Sequence, residues 1–531
     1  MDDMLRAGDM VVAALRAEAV DTAFGIVGSH VVGIYDALRR APSIRAISAR
    51  HESTVSFMAA AYARFTGRTG VGVVTAGPGV LNAMNGLAQA AHSGWPVVLL
   101  AGGVPCGAQA FELHALQRED YCRDAVAPLV KSAVRVRTLQ ALGPTLAEAF
   151  RLARSGRPGP TYVEIPLDLF SADAGGDWYY SPVAPTLLGF AEAEITAARA
   201  ALRTAAYPVV VIDAGAAEGV ARALALDMAE DTGARIAVTR DALGAVSEQH
   251  PLYIGVAHEH MFGSQAFAAI NEADICVLFG IDSEAANYER IVSRAAGRVL
   301  LVKRRMTGGV ASCDANRLDI ETSLRKVVIN AKPSDANLFV ETLAALRARL
   351  DMGAITVVDA GNHEVWARTL LPIHNRHNCI GGGDWASMGF ALPAALAARV
   401  AEPRERIVCV TGDGCLLMSL SDLSTLFELG GPSLLIVLND SEYGMMSDVQ
   451  VAQFGAAYEV CLPRVDFAAM ARAMGGDGER VLASTDLAPA LDRAFAASRP
   501  FVLDIVCERP SNELLEHFQQ AMAFPLKTGP L

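Results

Sequence analysis

The sequence predicts an α/β protein of three consecutive doubly wound parallel-sheet domains. Three observations predict it. Short β-branched runs alternate with longer Ala/Leu-rich segments of helical period along the whole chain. These runs are continuously apolar, as in strands buried on both faces of a parallel sheet. Two polar breaks containing Pro or Gly, at about 170–188 and 331–337, divide the 531 residues into blocks 1–180, 181–335 and 336–531.

In chain order, the first block has strand-like runs at 71–75 and 97–100. The second has them at 209–212, 236–239, 275–279 and 299–302. The third has them at 356–358, 407–411, 434–438 and 501–506. The first and last blocks could be paired modules of one kind. Composition agrees with a packed fold, being 52% hydrophobic and 19% charged, which excludes a mostly disordered chain. With 58 acidic and 45 basic residues the net charge is −13, so no general footprint for nucleic acid or an anionic membrane is present. Any phosphate must be held locally, by backbone N–H groups or a metal. Nine cysteines without a CxxC pair point to reduced thiols, and MDDMLRAGDM lacks the regions of a signal peptide. A soluble cytoplasmic protein is expected.

The third block carries the clearest chemical signal. An apolar run enters Gly412-Asp413-Gly414, a helical stretch is expected at 419–429, and a second buried run ends in Asn439-Asp440. A right-handed strand–helix–strand crossover puts Asp413 and Asn439 on one sheet edge, where open α/β sheets bind ligands. A carboxylate, an amide oxygen and the backbone carbonyl of Ser441 suit Mg²⁺, which takes oxygen ligands and shares its shell with phosphates. Gly412 and Gly414 would let a diphosphate approach the backbone, and the following helix start points at the same place. Gly-Asp-Gly alone is an ordinary turn; the spacing and the two buried runs make it a site.

In the first block, Arg50-His51-Glu52 stands where a strand meets a helix expected over 53–65 and ended by Gly67. A first-turn glutamate is ordinarily a partner of the helix dipole. No second His follows His51-Glu52 at zinc-protease spacing, so zinc is set aside. Gly77-Pro78-Gly79 opens another helix and is not GxGxxG, because position 82 is Asn.

Taken together these segments resemble the thiamine-diphosphate-dependent 2-oxo acid decarboxylase and acetolactate synthase superfamily. The match runs through Phe24-Gly-Ile-Val-Gly-Ser-His30, Arg50-His-Glu52, Thr75-Ala-Gly-Pro-Gly-Val-Leu-Asn82, Leu116-Gln117, Gly156-Arg-Pro-Gly-Pro160, Asp359-Ala-Gly-Asn-His363, Met388-Gly-Phe-Ala-Leu-Pro393 and Gly412-Asp-Gly414 with Asn439. The resemblance implies a pyrimidine-binding first domain, a central domain and a diphosphate- and Mg-binding third domain. It implies a cofactor lying between the first domain of one subunit and the third of another, hence a homodimer or homotetramer. It implies that Glu52 hydrogen-bonds N1′ of the aminopyrimidine; a buried carboxyl able to share a proton near neutrality suits that role. Pro78 and Asn82 match contacts near the aminopyrimidine, Asn362 and His363 diphosphate-side contacts, and Met388 the residue that props the cofactor. His30 and Gln117 match catalytic pocket positions facing the substrate. Asp413, Asn439 and Ser441 would hold the metal, with Tyr443, Gly444 and Met445 following on the cofactor side. The cofactor supplies carbanion chemistry and the protein orients it.

The chain departs from acetolactate synthases at substrate and flavin positions. Their Gly-Ala-Arg-Phe-Asp segment reads Gly280-Ile-Asp-Ser-Glu284; Gln-Gly-Met-Val reads Tyr443-Gly-Met-Met446, with Val449 at the position of a substrate-selecting tryptophan; Phe-Gln reads Leu116-Gln117. The thiamine positions are spared. These changes speak against FAD in the central domain and against the housekeeping acetolactate synthase. A small 2-oxo acid is the expected substrate, decarboxylated to an aldehyde or joined to a second carbonyl. The alternatives are a lyase of 2-hydroxy ketones or 1,2-diketones, and a non-catalytic family member. The acidic stretch 513–520 argues against a coenzyme-A substrate.

Overall fold

The computed structural model describes residues 6–107, 112–116, 118–172, 178–257, 265–282, 291–292, 295–306, 337–351 and 353–510. Gln117, the segment 283–284, residues 331–336 of the second linker and the 513–520 stretch lie outside the described residues. The described residues form three six-stranded sheets.

The first contains β1 (Thr22–Gly25), β2 (Arg45–Ser48), β3 (Gly70–Val74), β4 (Val97–Gly103), β5 (Ala133–Arg135) and β6 (Pro160–Pro166), in the order β2-β1-β3-β4-β6-β5 with every pair parallel. The runs expected at 71–75 and 97–100 are β3 and β4, the fully buried middle of this sheet. Val71, Val73, Val98 and Leu100 pack with helices Ala7–Ala17 and Leu139–Arg154. On the opposite face, helix Glu52–Thr66 comes so close that a Cβ on Gly70 would sit 1.9 Å from the Ala59 carbonyl oxygen.

The second sheet contains β7 (Leu188–Gly189), β8 (Pro208–Ile212), β9 (Arg235–Val238), β10 (Tyr253–Val256), β11 (Ile275–Asp282) and β12 (Arg298–Met306), ordered β10-β9-β8-β11-β12-β7. The four pairings from β10 through β12 are parallel. Alternate residues of β8 and β11 go to opposite cores. Val210, Ile212, Val277 and Phe279 pack with helices Glu192–Thr204 and Gly219–Thr232. Val209, Val211, Cys276 and Leu278 pack with helix Gln265–Glu272. That two-sided burial is why these strands read as unbroken apolar runs.

The third sheet contains β13 (Ile355–Val358), β14 (Cys379–Gly381), β15 (Ile407–Gly412), β16 (Ser433–Asn439), β17 (Asp477–Val481) and β18 (Phe501–Val506), all parallel in the order β14-β13-β15-β16-β18-β17. Numbered from its own first strand, this order is that of the first sheet. The two outer blocks are therefore the same module.

The described residues form two compact units. One comprises Met1–Leu188 with Leu392–Arg404 and Ser419–Gly431; the other comprises Gly189–Ala391, Glu405–Met418 and Pro432–Leu531. Within the second unit the central and third sheets are tied together by a buried bidentate pair, Arg240 Nη2 to both oxygens of Glu364 at 2.8 Å, and by Arg347–Glu248 at 2.9 Å. Among the described residues no helix is long and apolar enough to cross a membrane.

Candidate active site

In the third sheet, β13 leads to β14 on one side and β15 to β16 on the other, so the winding reverses between β13 and β15. Ligands bind at the carboxyl ends of strands flanking such a reversal. Three successive neighbours, β13, β15 and β16, each end beside a helix start: Asn362–Leu370, Asp413–Ser419 and Gly444–Phe454. The expected helix at 419–429 is corrected here. The helix begins at Asp413 itself, breaks into a 3₁₀ turn at Leu420–Asp422, and resumes as Leu423–Leu429.

Gly412 pairs in register with Leu438, so Asp413 and Asn439 are the next two residues side by side. Asn439 spends its amide N–H groups on the Val465 carbonyl at 3.0 Å and the Asp504 carboxylate at 2.8 Å, which turns its oxygen toward Ser441. Asp413 Oδ1 accepts from Gly414 N–H at 2.7 Å, while its Oδ2 is buried without a partner. Burial pushes the Asp413 carboxyl up to about 6. Burial, then the neighbouring Asp413 charge, pushes Asp440 up to about 7. A buried acid, a half-buried one and an unpaired oxygen form a donor set that a hard divalent cation fits. Ser441 adopts a left-handed φ of 58°, and its carbonyl already accepts from Leu462 N–H at 2.8 Å, leaving one lone pair for a metal. Among the described residues there is no group of three or more His, Cys, Asp or Glu side chains placed to hold a metal ion.

The two glycines also have neighbours within the chain. A Cβ on Gly412 would meet the His363 ring at 3.0 Å, and one on Gly414 the Tyr443 ring at 2.6 Å. They make room for protein rings as well as for any ligand. His363 is buried, and burial holds its imidazole down at about 4, so it is neutral. Its Nε2 and the Oδ1 of Asn362 are buried without a partner, alongside Asp413 Oδ2. Such atoms call for a group from outside the chain. The three helix starts offer backbone N–H donors to a phosphate there. Gly444 is buried at the start of its helix, Met445 and Tyr443 are half-buried, and Met388 is half-buried in the turn before helix Ala391–Ala401. Sequence reading missed Arg509, whose guanidinium pairs with Glu442 and, at 3.0 Å, with Asp448, the carboxylate that receives the Asn362 amide.

The first sheet has its own reversal, between β1 and β3. Glu52 is the first residue of helix Glu52–Thr66, whose N-cap His51 accepts from Ser53 N–H and whose end is Gly67 at φ 67°. Glu52 is half-buried rather than buried in the single chain, and its Oε2 accepts from Asn82 Nδ2 at 3.0 Å. Asn82 is one turn into helix Pro78–Ser93, where Pro78 takes the first position, which needs no N–H. The turn before that helix joins the remaining pieces. A Cβ on Gly79 would lie 3.6 Å from Glu52 Oε1 and 3.0 Å from Thr75; one on Gly77 would lie 3.0 Å from His114. Thr75 Oγ1 is 3.5 Å from His30 Nδ1.

His30 is 1% exposed. Its Nδ1 is 3.0 Å from the Ser29 hydroxyl, and it also hydrogen-bonds the Leu113 backbone. Burial and then the neighbouring His114 hold it below its ordinary value. His114 is the more accessible ring, 5.2 Å from His30 between centroids, on a backbone held at φ 63°. Nothing in spacing announced His114, which reaches His30 only through the fold. Nor did anything announce Asp422, whose buried carboxylate meets Arg50 and Thr54 on either side of Glu52.

Comparison with known proteins matches this architecture block by block. The description "Thiamine pyrophosphate enzyme, N-terminal TPP binding domain" fits residues 5–127, the central domain 195–305, and the C-terminal TPP binding domain 359–505. The chain belongs to the thiamine-diphosphate-dependent, acetolactate-synthase-like enzymes. It is 28% identical over 529 residues to the acetolactate synthase isozyme 2 large subunit of Escherichia coli strain K12, covering 94% of this chain and 95% of that one. It is 29% identical to the acetolactate synthase large subunit of Parasynechococcus marenigrum, over 94% and 87% of the two chains. It is 29% identical to the catabolic acetolactate synthase of Raoultella terrigena, over 96% of each.

Proposed function

We propose that this thiamine-diphosphate-dependent enzyme, with Mg²⁺ at Asp413, Asn439 and Ser441, decarboxylates a small 2-oxo acid, and that it is not the housekeeping acetolactate synthase. When bound, the cofactor supplies a carbanion that adds to a carbonyl carbon and accepts the electrons released on loss of CO₂. The chain's part is to bind, orient and move protons. Glu52, steadied by Asn82, holds a proton at the ring nitrogen of the aminopyrimidine. Asp413 and Asn439 hold the cation that lets an acidic chain carry a diphosphate, and the three helix starts receive the phosphate oxygens. His30 supports the loop that presents His114, and His114 passes a proton to the product carbon, releasing an aldehyde.

The observation that carries this reading is the His30–His114 pair, joined to Glu52 through residues 75–79 at the reversal of the first sheet. Positioned imidazoles serve as proton donors near neutrality. The substrate-position changes at Asp282, Tyr443, Met446 and Val449 support a pocket different from that of the relatives. The test is to supply pyruvate, benzoylformate and an acyloin separately with thiamine diphosphate and Mg²⁺. CO₂ release from a 2-oxo acid, abolished in Glu52→Gln, is expected. Cleavage of the acyloin alone would assign a lyase instead, and turnover of all three by Glu52→Gln would remove the catalytic glutamate.

A further inference from the structure

We propose that Asp422 is a positioning residue for Glu52, acting across 372 residues of sequence as a clamp on the start of its helix. The inference rests on the function proposed above, because it gives Glu52 a task that requires an exact direction.

Helix Glu52–Thr66 is capped locally by His51, whose Nδ1 accepts from Ser53 N–H at 3.2 Å and lies 2.7 Å from the Ser53 hydroxyl, and whose carbonyl accepts from Thr54 N–H at 3.1 Å. A second restraint, from far along the chain, comes from the Asp422 carboxylate, which is fully buried in the 3₁₀ turn Leu420–Asp422. Its Oδ1 accepts the Arg50 backbone N–H at 2.7 Å, and its Oδ2 accepts the Thr54 hydroxyl at 2.7 Å. These are the residues two before and two after Glu52. Both oxygens of one rigid group are thus used, and the Glu52 Cα lies between the two anchor points.

The neighbours repeat the pattern. Thr425 donates to the Ser48 carbonyl at 3.3 Å, and Glu428 receives the Arg50 guanidinium at 2.7 Å. The segment from the end of β2 to the third residue of the helix is therefore gripped by one stretch, 422–428. Charge-assisted bonds of this kind are short, strong and costly to lose when buried. Asn82 sets the far end of the Glu52 side chain, while Asp422 sets its near end. A catalytic group displaced by about 1 Å loses on the order of a hundred-fold in rate, so the clamp bears on chemistry as well as on stability.

The test is the rate of hydrogen–deuterium exchange at C2 of bound thiamine diphosphate, read by quenched proton NMR on Mg²⁺-loaded enzyme, with cofactor affinity from thermal shift. In Asp422→Asn one acceptor is replaced by an amide donor, and exchange should slow about ten-fold while affinity changes by less than about three-fold. Thr54→Val should slow it about three-fold, and Thr54→Ser should restore the wild-type rate. If Asp422→Asn does not fold, the Thr54 pair decides alone. A folded Asp422→Asn that exchanges at the wild-type rate overturns the inference, whatever its melting temperature, as does Thr54→Val equal to Thr54→Ser. Glu52→Gln is the separating arm: normal exchange there would defeat the proposed function itself, whereas slow exchange there with normal exchange in the clamp variants defeats only the clamp.

Discussion

His363 is buried among Gly361, Gly412 and the Asp359 backbone, and its imidazole is held at about 4 against an ordinary 6.5. The unfolded chain takes up a proton that the folded chain refuses. Stability from this residue is therefore fully present above pH 6.5 and is lost as the pH falls toward 4. Between pH 7 and pH 5 the loss amounts to about 2 kcal/mol. Cofactor-free His363→Gln should show a smaller fall in melting temperature between those two pH values than the parent; equal falls would show that this ring does not contribute. At the same scale, some of the site could be read directly from the chain. Asp413 and Asn439 belong to one strand–helix–strand unit, so 26 residues of spacing predict their adjacency. Asp422 and His114 could not be read this way, because their partners are fixed by tertiary packing that leaves no periodic trace.

Helices Glu52–Thr66 and Pro78–Ser93 touch backbone to backbone, and Gly86 is what allows it. A Cβ there would stand 2.2 Å from Ser56 Oγ and 2.7 Å from the Phe57 nitrogen. Gly86→Ala should force the pair apart at a cost of about 1–3 kcal/mol. Because Glu52 and Asn82 face each other across the same pair, the variant should also lose part of its stabilisation by thiamine diphosphate. An unchanged melting temperature with and without cofactor would refute this coupling. Elements differ in legibility for a related reason. Central strands such as β3, β4, β15 and β16 are buried at every position and read as apolar runs. The edge strands β2, Arg-Ala-Ile-Ser, and β17, Asp-Gly-Glu-Arg-Val, are exposed or half-buried over most of their length and carry no such run. Burial on both faces writes a strand into composition; an edge position erases it.

The two outer sheets share one strand order, and each brings its candidate residues to its own winding reversal. If one cofactor is served by the first block of one chain and the third block of another, defects in the two blocks should complement. Coexpressed Glu52→Gln and Asp413→Asn chains, each inactive alone, should recover about one quarter of wild-type turnover in a randomly mixed dimer, since half the dimers are mixed and each then holds one intact site. No recovery would place both residues in a site made by a single chain. The Asp422 clamp has a further consequence, one of timing. Arg50 precedes its acceptor by 372 residues, and at ribosomal rates of 5–20 residues per second that is a wait of roughly 20 to 75 s. Once residue 166 has been made the nascent first sheet can pair its strands and cover both faces, yet until residue 422 follows the entrance to helix Glu52–Thr66 has no carboxylate to receive it. The block made first is finished last, and a chain that stops short of residue 422 carries its glutamate on a helix held at its start by His51 alone.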